Sequence, residues 1–189
     1  MVPRFFCILL LFAVKAYLWN TANFKNSSMR TIQSSSIKSD FKLLHDGHEV
    51  TRLNYTSWFT GKAEALLNGQ KIWLAPKNIW ASRARMYKDD RVIGDITSTL
   101  KGFMVIRLEQ DGVEKNYVLK NVGRLKLQLE VYNEQEVLQF SLATQRKWTK
   151  LNYDYTIEMG NFDAAVELDE LLLYCGYAAN LYLAVISAA

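Results

Sequence analysis

From Phe41 onward apolar and polar side chains alternate with a period of two through most of the chain, the pattern of strands that bury one face and wet the other. The clearest run is 124–132, where Leu125, Leu127, Leu129 and Val131 alternate with Arg124, Lys126, Gln128 and Glu130. In 151–159, Leu151, Tyr153, Tyr155, Ile157 and Met159 point one way and Asn152, Asp154, Thr156 and Glu158 the other. In 103–110, Met104, Ile106 and Leu108 oppose Arg107 and Glu109. Pairs that supply the positive φ of tight hairpins separate the runs: Asp46 with Gly47, Asn68 with Gly69, and Asp111 with Gly112. Lys88-Asp-Asp90 and Asn133-Glu-Gln135 read as longer turns. The pattern predicts eleven strands, near 40–45, 48–55, 62–67, 70–75, 79–87, 91–97, 102–110, 113–120, 124–132, 136–143 and 151–159, with residues 146–150 as the place for a twelfth.

The alternation gives way to a helix predicted over 163–188. Asn161 or Asp163 is its expected cap, and Glu167, Asp169 and Glu170 lie near the positive end of its dipole. After Glu170 no charge appears, and Asn180 is the only strongly polar side chain before Ser187. A helix that is apolar all round belongs in a bilayer or in a protein core. The span 171–189 is long enough for a bilayer, which takes about 20 residues. Neither flank carries Lys or Arg, however, and Tyr174, Tyr177 and Tyr182 spread through the middle instead of forming interfacial belts, so the core is the expected home. About twelve antiparallel strands close around a bore wider than that of an eight-stranded barrel, and a helix about 10–12 Å across fills it. The fold expected is all-β with one helix: an about twelve-stranded antiparallel barrel enclosing a hydrophobic C-terminal helix. About a dozen large apolar side chains of that helix are expected to be buried. Gly176, Ala178, Ala179, Ala184 and Ser187 are expected to let the strands come close.

Gly61-Lys-Ala-Glu-Ala65 runs into Asn68-Gly-Gln-Lys-Ile-Trp73, and Arg91-Val-Ile-Gly-Asp-Ile96, Asn116-Tyr-Val-Leu-Lys120 and the closing Glu170-Leu-Leu-Leu-Tyr-Cys-Gly-Tyr177 follow. In order and spacing this succession, over residues 41–189, resembles the tubby-like superfamily of tubby C-terminal domains, LURP-one-related proteins and phospholipid scramblases. The resemblance implies a twelve-stranded barrel threaded by its last helix, and a non-enzymatic binding or scaffold domain. Tubby domains bind phosphoinositides through a basic cluster, and scramblases respond to calcium and carry palmitoylated cysteines. Neither residue set has a position-for-position counterpart here; the acidic calcium segment and the Cys-rich run are absent.

Composition changes the picture in three places. The 189 residues, half of them hydrophobic, suit one domain with a sizeable core. The net charge of +4 sits largely in residues 1–28, which hold Arg4, Lys15 and Lys25 and no acid; the rest balances 20 basic against 19 acidic residues, which argues against a nucleic-acid partner. Cys7 and Cys175 offer no disulfide framework. Residues 1–28 read as a leader, either signal-like, with ten apolar residues over 5–14, or a mis-assigned start ahead of Met29. Residues 29–39 then form a polar linker and 40–189 the barrel. A cytoplasmic, membrane-peripheral monomer is expected, or an exported one if residues 1–16 are a signal peptide.

Candidate chemistry is sparse. His45 and His48 flank a turn near Asp46 and Glu49, but a metal needs a further convergent ligand. Asp154 and Glu158 share the wet face of one strand with no pocket implied, and read as surface residues. Phosphate loops, nucleophile elbows and paired Cys ligand sets are missing from the sequence, so the expectation is no enzyme and no cofactor. The alternation places Arg83, Arg85, Lys120, Arg124 and Lys126 outward as a basic stripe fit for an anionic phospholipid headgroup. A protein partner is the second candidate. The rival functional reading is a membrane-associated protein with the hydrophobic helix as its bilayer anchor.

Overall fold

The computed structural model of the chain describes residues 28–57, 59–77, 83–110, 112–124, 126–145 and 153–187. Twelve strands run β1 Arg30–Ser34, β2 Phe41–His45, β3 His48–Ser57, β4 Lys62–Leu67, β5 Gln70–Pro76, β6 Arg83–Lys88, β7 Arg91–Ser98, β8 Met104–Gln110, β9 Val113–Asn121, β10 Gln128–Tyr132, β11 Leu138–Gln145 and β12 Asp154–Met159. One helix among the described residues, α1 Leu168–Ser187, follows. Every strand pairs antiparallel with its neighbours in sequence, and β1 pairs with β12, so the sheet is a closed barrel with no edge. Such a meander fixes the two ends of the cylinder: connections after odd-numbered strands lie at one end and those after even-numbered strands at the other.

The inward rows are the apolar halves of the alternation. Leu43, Leu53, Ile72, Leu74, Met86, Ile96, Ile106, Leu119, Leu129, Val131, Phe140 and Leu142 are wholly buried. They surround α1, of which Glu170 through Ala179 and Leu181 are buried. The helix enters at the even-connection end, where Arg30 Nε donates to Asp169 Oδ1 at 2.7 Å and Lys88 Nζ to Glu170 Oε2 at 2.8 Å. Inside, Tyr174 Oη donates to Glu170 Oε1 at 2.9 Å and Tyr177 Oη to the Gly61 carbonyl at 2.8 Å. Asn180 Nδ2 donates to the Ser39 carbonyl at 3.0 Å. Its interior polar groups thus find partners, as burial demands. Gly176 lets the helix pass close to the wall at β2: a Cβ there would stand 2.6 Å from Phe41 Cζ.

The structure corrects several expectations. The twelfth strand is β1, inside the stretch expected to be a polar linker; residues 146–150 lie outside the described residues. Ile32 is the one apolar side chain β1 sends into the core, too little alternation to stand out, yet it sits between Leu43 and Tyr155 and closes the cylinder. The strand expected at 124–132 starts only at Gln128, because the Val122 N–H donates to the Gln128 carbonyl and closes a connection between β9 and β10. The helix starts at Leu168, five residues later than expected, since 160–167 must carry the chain from the wall to the axis. Asp163 therefore caps a turn, accepting the Ala165 N–H at 3.1 Å, and does not cap the helix. Beyond Leu181 the helix leaves the core: Ala184 and Ser187 are exposed with Val185 and Ile186, and six large apolar side chains of α1, not a dozen, are fully enclosed. In β12, Tyr155 and Ile157 face inward as expected, while the flanking Tyr153 and Met159 are exposed.

Candidate functional site: an arginine cluster on the barrel wall

Antiparallel register sets three charged residues side by side on the outer wall: Arg85 of β6 faces Asp95 of β7, and Asp95 faces Arg107 of β8. Arg83, two residues from Arg85 and so on the same face, reaches the same aspartate. Arg83 Nη2 donates to Asp95 Oδ2 at 2.5 Å, Arg107 Nε to Asp95 Oδ1 at 3.1 Å, and Thr97 Oγ1 to Asp95 Oδ1 at 3.0 Å. Arg107 Nη2 also donates to Thr97 Oγ1 at 3.0 Å. Burial beneath these side chains pushes the Asp95 carboxyl upward, but the Arg83 and Thr97 hydrogen bonds and the charges of Arg107 and Arg83 outweigh it and hold the carboxyl below its ordinary range. Two guanidinium groups are thereby locked in place. Arg85 makes no hydrogen bond or ion pair among the described residues and stays exposed.

These side chains border an open concavity of about 410 Å³ whose far side is closed by Glu109 and Glu114. The two glutamates face each other across β8 and β9 toward the even-connection end, so the wall is positive above and negative below. Its floor depends on Gly94: with φ of 155°, a Cβ at this position would meet the Arg107 carbonyl oxygen at 1.9 Å, so only glycine lets β7 and β8 close up under the arginines.

The expected basic stripe divides. Arg83 and Arg85 come together as predicted. Lys120 lies three strands away on β9, about 14 Å along the sheet, faces Glu130 in register, and rests with its Nζ 4.7 Å from the Tyr132 ring centroid and 5.5 Å from that of Phe103. The Tyr132 hydroxyl donates to Glu130, which pushes the Tyr132 phenol above its ordinary value. Arg124 and Lys126 are exposed in the β9–β10 connection and not on a strand face. Sequence reasoning passed over Arg107 and Asp95. Arg107 stands on an expected outward position and the alternation gives Asp95 no face; only the register says that they adjoin Arg85.

The remaining candidates resolve as structure. His45 and His48 face each other across the β2–β3 turn; the His45 Nε2 is buried without a hydrogen bond, 3.6 Å from Asp46 Oδ2. Among the described residues no group of three or more His, Cys, Asp or Glu side chains gathers as a metal would require. Asp154 is more than a surface residue: its Oδ1 accepts the Ser34 N–H at 2.8 Å and ties β12 to the end of β1. Cys175 is buried on the helix, and desolvation raises its thiol far above its ordinary value, which keeps it an unreactive apolar filler. Comparison with models of protein families, with curated proteins and with solved structures finds no match to this chain.

Proposed function

We propose that the chain is a non-enzymatic, tubby-like binding domain that takes the headgroup of an anionic phospholipid at the arginine cluster of its outer wall, acting as a cytoplasmic, membrane-peripheral monomer. The observation carrying this reading is the division of labour around Asp95. Two arginines are held rigid by one carboxylate, and the third, Arg85, stands beside them over a concavity with its donors unclaimed. A guanidinium presents a planar fork that matches phosphate oxygens, and neighbours fixed beforehand lose little entropy on binding. Asp95 lowers the charge of the cluster but orients it, so shape counts as well as sign. Glu109 and Glu114 limit the approach to ligands whose charge is concentrated at the Arg83 side.

The rival, α1 as a bilayer anchor, gains support from its length and apolar composition. Burial of Leu171, Leu172, Leu173, Tyr174 and Tyr177 against the strands speaks against it, because extraction would leave the bore of the barrel empty. Flotation with liposomes of phosphatidylcholine, alone or with phosphatidylinositol phosphate, tests the headgroup reading. Wild type is expected to float only with the anionic lipid, and Arg85→Gln to lose about fivefold in apparent affinity, the equivalent of about 1 kcal/mol per basic residue at a charged surface. Equal flotation of wild type and variant would remove the arginine cluster from the account. Release of the full chain by alkaline carbonate is expected; retention in the membrane fraction would favour the anchor.

A further inference from the structure

The topology sorts the connections into two ends of opposite character. At the end where α1 emerges, the described residues between strands include Lys38, Lys77, Lys101, Arg124 and Lys126, all exposed, against one acid, Asp40. That aspartate is occupied, accepting the Tyr55 N–H and the Ser36 hydroxyl, each at 2.6 Å. At the opposite end, the described turns and the 160–167 segment hold seven acidic residues, Asp46, Asp89 and Glu136 among them, and no Lys or Arg. Apolar exposure differs in kind as well. The helix-exit end raises Ile37, Phe59 and Leu100 on connection tips at 82%, 88% and 109% exposure, with Val122 nearby and Ile186 on the emerging helix. The acidic end has exposed apolar residues too, but Leu66, Val92, Val113 and Met159 lie on strands, at 45–64%, and Met29, just ahead of β1, is 55% exposed and bonded to the Asp46 turn.

Largely exposed apolar tips ringed by cations, on one end of a cylinder whose other end is anionic, match one kind of surface: a bilayer with anionic headgroups and an apolar interior. Lysine is suited to it, since its stem lies along apolar material while its ammonium stays at headgroup level. A charge gradient along the barrel axis also orients approach before contact. We propose that the helix-exit end of the barrel docks on an anionic bilayer, sinking the tips at Ile37, Phe59 and Leu100 below the headgroups while Lys101, Arg124 and Lys126 hold them. This deepens the lipid reading above and rests on it for the nature of the partner, but it uses different residues. It also places Arg124 and Lys126, which the wall site leaves aside. Arg83 begins β6 at this same end, so the arginine cluster faces the headgroup layer from the side.

A phosphatidylcholine monolayer with and without phosphatidylserine separates the two readings, because only insertion of side chains raises surface pressure. Wild type is expected to raise the pressure of the phosphatidylserine film. Ile37→Asp with Leu100→Asp is expected to lower partitioning at least about tenfold, and Lys101→Gln or Lys126→Gln about fivefold each, in a salt-sensitive manner. Neither Ile37 nor Leu100 packs against anything to speak of, so the fold should survive, which near-ultraviolet circular dichroism checks. As a second measurement in a Cys7→Ser background, an environment-sensitive dye on Leu100→Cys is expected to shift to the blue on these vesicles. The same dye on Gln135→Cys, at the acidic end, is expected to stay unchanged. Arg85→Gln that raises the pressure as wild type does and also floats equally well with phosphatidylinositol phosphate upholds docking while sinking the headgroup site. Vesicle binding with no pressure rise and no effect of the tip variants overturns docking and leaves the headgroup site standing. A blue shift at Leu100→Cys without lipid, growing with protein concentration, assigns the surface to self-association and overturns the proposal.

Discussion

Replacing Ala179 by aspartate tests whether barrel and helix are one folding unit. Ala179 is fully buried on α1, within the run that ends at Leu181. A carboxylate placed there loses its water without gaining a cation, since Lys88 and Arg30 are engaged at the helix entrance, two turns or more away along the helix. Taking an unpaired charge into such an interior costs several kcal/mol even after relaxation, and protonating it instead leaves a buried polar group lacking partners. Added side-chain volume in a packed bore contributes about 1–3 kcal/mol more. The total rivals the 5–15 kcal/mol that typically separates a folded domain from its unfolded chain. The six enclosed large side chains, Leu171, Leu172, Leu173, Tyr174, Tyr177 and Leu181, make the reverse dependence equally strong: at about 1.5–3 kcal/mol each, their burial is comparable to the whole margin before ordering entropy is charged against it. Ala179→Asp is therefore expected to abolish the soluble cooperative fold, whereas Ala184→Asp, on the exposed last turn, should melt like wild type. Thermal melts followed by near-ultraviolet circular dichroism compare the two. A folded Ala179→Asp barrel with an unaltered midpoint would refute the coupling of helix and sheet.

Two other outcomes follow from the wall site. Because the folded pKa of Asp95 is depressed, its contribution is present above the ordinary carboxylate range and is lost as pH falls through the depressed folded value; Asp95→Asn should lower stability by about 1–3 kcal/mol at neutral pH and flatten this acid limb, measured by urea unfolding across pH. An unchanged acid limb would mean that Asp95 is no linchpin. Gly94→Ala should cost about 3 kcal/mol or more, since its Cβ would fall 1.9 Å from the backbone oxygen of Arg107, and a melting temperature within error of wild type would show that β7 and β8 separate at little expense.

The sequence on its own determined the fold class, because both signals were local. Period-two alternation in runs such as Met104, Ile106 and Leu108 names strands, and a chargeless stretch after Glu170 names a buried helix, whatever the surroundings. Turns at Asp46 and Asn68 declared themselves by residues that tolerate positive φ, and the structure has φ of 50° at both. Three things required the tertiary structure. Strand β1 carries a single inward apolar residue, so only the gap between β2 and β12 makes it a strand. The start of α1 depends on how much chain must cross from wall to axis, a distance no local pattern encodes. The grouping of Arg85, Asp95 and Arg107 depends on the register among three consecutive strands, which no single strand's pattern contains, and a shift by one residue would send a side chain to the opposite face. The axial separation of charge is likewise written in the residues but acquires meaning only once a closed meander assigns each connection to an end.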